Sequence, residues 1–284
     1  MSVRFFHLLF TRCFILVGLG MLLGLSGCAL GPTSQELNIG FLPANPPFTY
    51  PAAESFEAQS AWAGLEPELA RRLAAELGME PKFVPLEGPA DLLPALRSGK
   101  VDILMTGLPV RDDWRSSVEF SPPYLVTGLA VIHLAGTPLL ARDPLVFSTP
   151  ARLRSSPLRM AIPNTSPAAG AFVAAHLPLA RCQYVPDVPA AIAAVLERRA
   201  EVALAPAPAL WFHLHGFAPE AAAQIVFAPY LLAPHEVAWA CRPGSSELRN
   251  AFQTLVPRWA ADGTLNQVLS TYLPTQSRHA PTLP

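Results

Sequence analysis

The sequence predicts an α/β fold of open, mainly parallel sheets flanked by helices, and three observations carry that expectation. Short apolar runs alternate with amphipathic helical segments along the chain, the pattern of strands joined by crossover helices. Val101, Ile103, Leu104 and Met105 form an apolar run after a Gly99-Lys100 turn, which reads as a strand covered on both faces and ended by Gly107. Leu69, Leu73 and Leu77 fall on one face of a helix over Leu65–Leu77, with Gly78 as its stop.

Taken in order, the chain opens with Arg4 and Arg12 ahead of an apolar run from Cys13 to Leu25, a secretory signal. The run is shorter than the roughly 20 residues that a membrane-spanning helix needs. Leu25-Ser26-Gly27-Cys28 resembles a lipobox, which implies cleavage after residue 27 and lipidation of Cys28, with several acyl chains giving stable membrane anchoring. Residues 28–35 then form a lipidated tether. A first strand follows over Leu37–Phe41, then the helix over Leu65–Leu77. Ligands of such sheets sit beyond the carboxyl ends of the strands, so the loop from Gly107 to Arg115 is where a site is expected. Further on come a helix over Pro189–Arg199, a strand over Glu201–Ala205, a strand over Val237–Cys241 and two helical pieces within Phe252–Leu273, parted near Asp262-Gly263. Residues 274–284 read as a flexible Pro-containing tail.

Composition narrows the function. With 51% apolar residues the chain builds cores rather than staying disordered, and 14% charged residues leave no nucleic-acid footprint. Without residues 1–27 it loses two arginines and no acid, leaving 18 basic against 21 acidic residues. No metal-ligand spacing is present, since His213 and His215 lack a companion Cys, Asp or Glu nearby. Cys13 goes with the signal and Cys28 to lipid, so Cys182 and Cys241 are left as one possible disulfide or as two buried thiols.

Gly107–Tyr124 has the length and frame of a glycine loop GMTITPER followed by DFSxPY, agreeing at Gly107, Val110, Asp113, Phe120, Ser121, Pro123 and Tyr124. Pro47-Phe48, the GLEPELA run from Gly64 to Ala70 (where the pattern has GFDVDLA) and LLPALRSGKVDI from Leu92 to Ile103 agree as well. In these motifs, which spread over most of residues 36–273, the chain resembles the polar amino-acid family (family 3) of bacterial extracellular solute-binding proteins. That resemblance implies a two-lobe, type II periplasmic binding fold. One lobe comprises residues 36–127 plus 238–273 and the other residues 128–237, joined by a hinge of two crossings. It also implies a monomer without cofactor that closes on a small-molecule solute and presents it to an ABC permease in the inner membrane.

In that family an arginine of the first-lobe loop pairs with an α-carboxylate, and a second-lobe aspartate takes the α-ammonium. This chain departs at each point: Trp114 stands at the arginine position, Pro109 at a hydroxyl position, Pro89 and Asn45 at aromatic positions, and Pro206 at the aspartate position. Because a charge-assisted hydrogen bond contributes about 1.5–3 kcal/mol, ordinary amino acids should bind poorly if these contacts are gone. The candidate ligand residues are therefore Asn45, Phe48, Gly107, Trp114, Arg115 and Thr165, with Arg111, Trp62, Trp211 and Tyr230 as further candidates and His235-Glu236 as a hinge pair.

The function expected is a lipid-anchored solute receptor of an importer on the periplasmic side of a bacterial membrane, with outer-membrane sorting open because Ala29 follows the cysteine. Two alternatives stand beside it. One is a ligand-sensing or envelope-assembly protein that kept the fold without transport. The other is an enzyme like the periplasmic cyclohexadienyl dehydratases, for which Glu66, Asp91 and Asp113 are the nearest acids. No Ser-His-Asp order, metal motif or phosphate loop accompanies them, so the expectation is a binding protein and not an enzyme.

Overall fold

The computed structural model describes residues 35–52 and 61–273. The signal segment, Cys28, most of the tether and the tail from 274 onward lie outside them. No helix among the described residues is long and apolar enough to cross a membrane.

The chain enters on β1 (Glu36–Phe41), with Leu37, Ile39 and Phe41 buried. A hairpin of β2 (Tyr50–Pro51) and β3 (Trp62–Ala63) leads into helix α1 (Leu65–Leu77) and β4 (Glu80–Pro85), which lies parallel to β1 from Glu36↔Glu80 to Phe41↔Pro85. Leu69 and Leu73 of α1 are fully buried, Leu77 packs at the edge of the same cluster, and the helix stops at Gly78 as the spacing predicts. After α2 (Leu92–Ser98), β5 (Ile103–Leu104) pairs parallel with the other side of β1. Val101 and Met105 are buried as expected, although the ladder holds only Ile103 and Leu104. Then β6 (Glu119–Phe120) closes this part of the chain.

From there β7 (Leu125–Leu134) runs into a second sheet built with β8 (Arg159–Pro163), β9 (Arg181–Val185), β10 (Val202–Pro206), β11 (Ile225–Phe227) and β12 (Leu232–Val237). Helices α3 (Pro167–His176), α4 (Val188–Leu196) and α5 (Ala207–Leu214) alternate with β8, β9 and β10. The chain returns through β13 (Ala240–Cys241), α6 (Ser246–Ala261) and α7 (Thr264–Tyr272), with the break at Asp262-Gly263. The first sheet has the order β4-β1-β5-β13-β6, and the second β11-β7-β10-β8-β9 with β12 also on β7.

Parallel pairs make the heart of each sheet: β4-β1-β5 in the first and β9-β8-β10 in the second. Antiparallel pairs appear where the chain crosses, because one strand leaves the first lobe and another comes back in the opposite sense. At the crossing β7 and β12 form an antiparallel ribbon with Leu125↔Val237, Val126↔Glu236 and Thr127↔His235. His235 and Glu236 therefore lie in this ribbon.

Both sheets are covered on both faces, which is why their strands read as nearly continuous apolar runs. Val202 and Leu204 of β10 enter one cluster while Ala203 and Ala205 enter the other, the two-residue period of a strand. In the first lobe Ile103 and Cys241 join Trp239, Phe252 and Trp259 on one face, whereas Leu104 and Ala240 join Leu92, Leu96 and Val118 on the other.

The hinge ribbon has one close backbone approach. Its register shifts between Leu232 and His235, with Ala233 at φ +46°, so the β12 backbone bulges over Gly128 of β7. A Cβ on Gly128 would lie 2.7 Å from the Leu232 carbonyl oxygen and 3.2 Å from Pro234 Cα. Gly128→Ala should therefore displace the bulge and destabilise the protein by about 1–3 kcal/mol in urea unfolding. An unchanged midpoint would show that the ribbon yields without cost.

Candidate functional site

The site grows from the segment after β1. Leu42 N–H donates to Thr106 Oγ1 at 3.0 Å and Asn45 Nδ2 to the Thr106 carbonyl at 2.8 Å, so the loops after β1 and β5 are laced together. Asn45 and Thr49 close a backbone bridge with two 3.0 Å hydrogen bonds, which turns Phe48 inward until it is 7% exposed. Its ring lies against Gly107. That residue has φ +65°, and a Cβ there would meet the Phe48 ring at 2.6 Å, so both the backbone conformation and the space call for glycine.

Beneath this loop lies Glu66, in the first turn of α1 and 1% exposed. Its Oε1 accepts hydrogen bonds from the Gly107 N–H at 2.7 Å and from the Tyr124 hydroxyl at 2.5 Å, and its Oε2 accepts from the Trp239 indole N–H at 2.9 Å. Tyr124 precedes the outgoing crossing and Trp239 follows the returning one. One carboxylate thus holds the glycine loop to both strands of the hinge. The loop is also hydrogen-bonded to the returning strand directly, Val110 N–H to Glu236 O at 2.8 Å and Ala238 N–H to Leu108 O at 3.1 Å.

Burial pushes the Glu66 pKa from 4.5 up to about 7, against the three hydrogen bonds that favour its charged form. Burial and then the adjacent carboxylate hold Tyr124 well above the ordinary phenol value, so it stays a donor.

The remaining sequence candidates fall in several places. Trp114 ends the 3₁₀ turn Asp112–Trp114 and packs on the cluster of Leu92, Leu96 and Val118, with the Arg111 guanidinium 5.6 Å from its ring. Arg111 forks onto Asp113 at 3.0 and 2.7 Å, and Arg115 bonds Asp112 at 2.9 Å, so both arginines have local acidic partners. Arg115 lines a separate recess of about 300 Å³ with Val110, Glu236 and Arg249. In the second lobe Thr165 is exposed in the turn between β8 and α3. Its neighbour Ser166 is buried, with an Oγ that has no hydrogen-bond partner among the described residues. Trp62 stacks edge-on against Phe41 at 4.7 Å, and Tyr230 is buried in the second lobe's core. Asp91 accepts from the Gly88 N–H at 3.1 Å. Cys182 and Cys241 are free thiols, one on β9 of the second sheet and one on β13 of the first, so the possible bridge is not made.

Sequence reasoning placed Glu66 near the cleft as an acid but missed its partners. Tyr124 was visible only as the end of the SPPY run, and Trp239 only as a strand residue. Ser166 had a signal, a serine just before a proline at a helix start.

Two open α/β sheets joined by a two-strand ribbon, with a glycine loop fastened over that ribbon, define a two-lobe periplasmic binding protein of type II. The chain belongs to the bacterial extracellular solute-binding proteins, family 3, which match residues 37–275. Among curated relatives it is 38% identical over 80 residues to the membrane-bound lytic murein transglycosylase F of Idiomarina loihiensis, covering 28% of this chain and 18% of that protein. It is 30% identical over 95 residues to a probable histidine-binding protein of Campylobacter jejuni, 34% of each. The chain thus spans well under half the length of either. Among solved structures, an ancestral cationic amino acid solute-binding protein has a TM-score of 0.69 at 22% identity, covering 84% of this chain and 95% of that one. An amino acid ABC transporter substrate-binding protein from Streptococcus pneumoniae bound to L-arginine has a TM-score of 0.60 at 17% identity, covering 86% and 97%. At such identities the likeness is one of fold.

Glu66 holds its proton more tightly in the folded chain than in the unfolded one. Its contribution to stability is therefore fully present below pH 4.5 and is lost as pH rises to about 7. The loss is about 3 kcal/mol by linkage. Glu66→Gln removes that titration, so the difference in unfolding free energy between the two proteins should change across this window when measured in urea. A difference independent of pH would assign the titration elsewhere.

Proposed function

We propose that the chain is the lipid-anchored solute receptor of an ABC-type importer. It captures a small solute, amino-acid-like or another small organic molecule, between a lobe of residues 36–127 plus 238–273 and a lobe of 128–237. The observation that carries this reading is the Glu66 junction, because a loop tied to both hinge strands couples occupancy at its tip to the angle between the lobes. In this reading Asn45, Phe48 and Gly107 shape the first-lobe side, and Thr165 with the unpartnered Ser166 Oγ offers hydroxyls from the second. Trp114 and Arg115 act at one remove by fixing the far end of the loop.

The usual charges for a zwitterion are replaced or already paired, so the solute is held mainly by backbone groups, hydroxyls and shape. The partners are the solute and an inner-membrane permease. The protein sits on the periplasmic side through lipid at Cys28 and needs no cofactor. The relative called a probable histidine-binding protein supports solute capture.

A second reading, a ligand-sensing module of the cell envelope, is favoured by the similarity to a membrane-bound lytic murein transglycosylase. A thermal-shift screen decides between them, using amino acids, organic acids, quaternary amines, small peptides and soluble murein fragments. A ligand at about 100 times its Kd adds about 2.7 kcal/mol to stability, and Thr165→Val should reduce that gain for a cleft solute. A shift with amino-acid-like solutes supports the receptor. A shift with murein fragments alone supports the sensor.

A further inference from the structure

The two lobes meet at an aromatic contact away from the glycine loop. Tyr50 of β2, in the first lobe, stacks against Phe212 of α5, in the second, with ring centroids 5.0 Å apart and planes at 51°. Beside them opens a recess of about 660 Å³, a volume typical of small-ligand sites. Its walls come from both lobes: Tyr50 and the end of α7 on one side, and Trp211, Phe212, His213, His215 and Gly216 on the other. None of Asn45, Gly107 or Thr165 lines it.

Its chemistry is specific in two ways. No carboxylate, ammonium or guanidinium is among the lining groups, while Tyr50, Trp211, Phe212 and Tyr272 supply flat aromatic faces. Several of the polar groups are set as acceptors. Ser270 Oγ and Thr271 Oγ1 spend their protons on the Gln267 carbonyl at 2.7 and 3.2 Å, and the Tyr272 hydroxyl donates to Glu68 at 3.2 Å, which leaves each oxygen's lone pairs to receive. His215 Nδ1 lies 3.0 Å from the Trp211 carbonyl, which only accepts, so this nitrogen carries a proton. Burial lowers the His213 pKa and so favours the uncharged ring.

A ligand with no charge, a flat apolar face for the rings and several O–H donors on its rim fits this lining. We propose that this recess is a second binding site, for a neutral saccharide, and that a sugar bound there bridges the lobes and favours their closed arrangement. This goes beyond the solute reading and does not depend on what the cleft holds.

The test is calorimetric titration of the detergent-solubilised full chain with cellobiose and with chitobiose, and with indole as a ring that lacks hydroxyls. Binding of either disaccharide is expected, with affinity falling at least tenfold in both Trp211→Ala and Tyr50→Ala and unchanged in Thr165→Val. Two separated variants, one on each lobe, keep the result readable if one of them fails to fold. No disaccharide binding, binding that both variants leave intact, or binding of indole alone would each overturn the assignment.

Discussion

The structure turns on one buried carboxylate. Glu66 takes hydrogen bonds from residues 41, 58 and 173 positions away in sequence, so a single side chain fastens the glycine loop, the outgoing hinge strand and the returning one. A donor left unpaired inside a protein costs about 1–3 kcal/mol, and here three donors share one acceptor group. The balance is close because the carboxylate's own burial opposes the charge that the donors prefer, which is why its pKa comes to about 7. Whatever moves Glu66 moves the loop and the hinge together.

Other features follow from keeping this junction dry and compact. Phe48 roofs it, and Gly107 is needed because that ring leaves no space for a side chain. Trp239 must reach the carboxylate with its N–H while filling the core with its ring. It does so against Tyr124, Phe252 and Trp259, with ring centroids 5.5 to 6.1 Å apart. The amphipathic start of α1 sets the register: Leu65 and Leu69 face the core, and Glu66 between them is carried inward by the same turn.

What the sequence made legible was periodic or local. The face of Leu69, Leu73 and Leu77, the break at Asp262-Gly263 and the loop beginning at Gly107 all stand where spacing and glycine chemistry put them. What it hid was long-range. Nothing near Trp239 announces that its indole will meet Glu66, and Tyr50 and Phe212 touch only because the lobes do. The arginines are an intermediate case. In the Arg111-Asp112-Asp113-Trp114-Arg115 run each arginine has an aspartate two or three residues away, and the structure pairs them there.

That local pairing bears on how closure is driven. If loop arginines held the solute's charge, closure would draw on Coulomb attraction across the cleft, and losing them would leave the hinge without its driving force. Here both arginines have neighbouring aspartates as partners, and Pro206 ends β10. One contact between the lobes is apolar, Tyr50 on Phe212, beside a ring-lined recess without full charges. On the reading proposed above, lobe approach therefore rests on aromatic burial at the rim and on the Glu66 junction at the hinge rather than on ion pairs with the solute. Such a mechanism depends little on ionic strength and admits ligands that carry no charge at all.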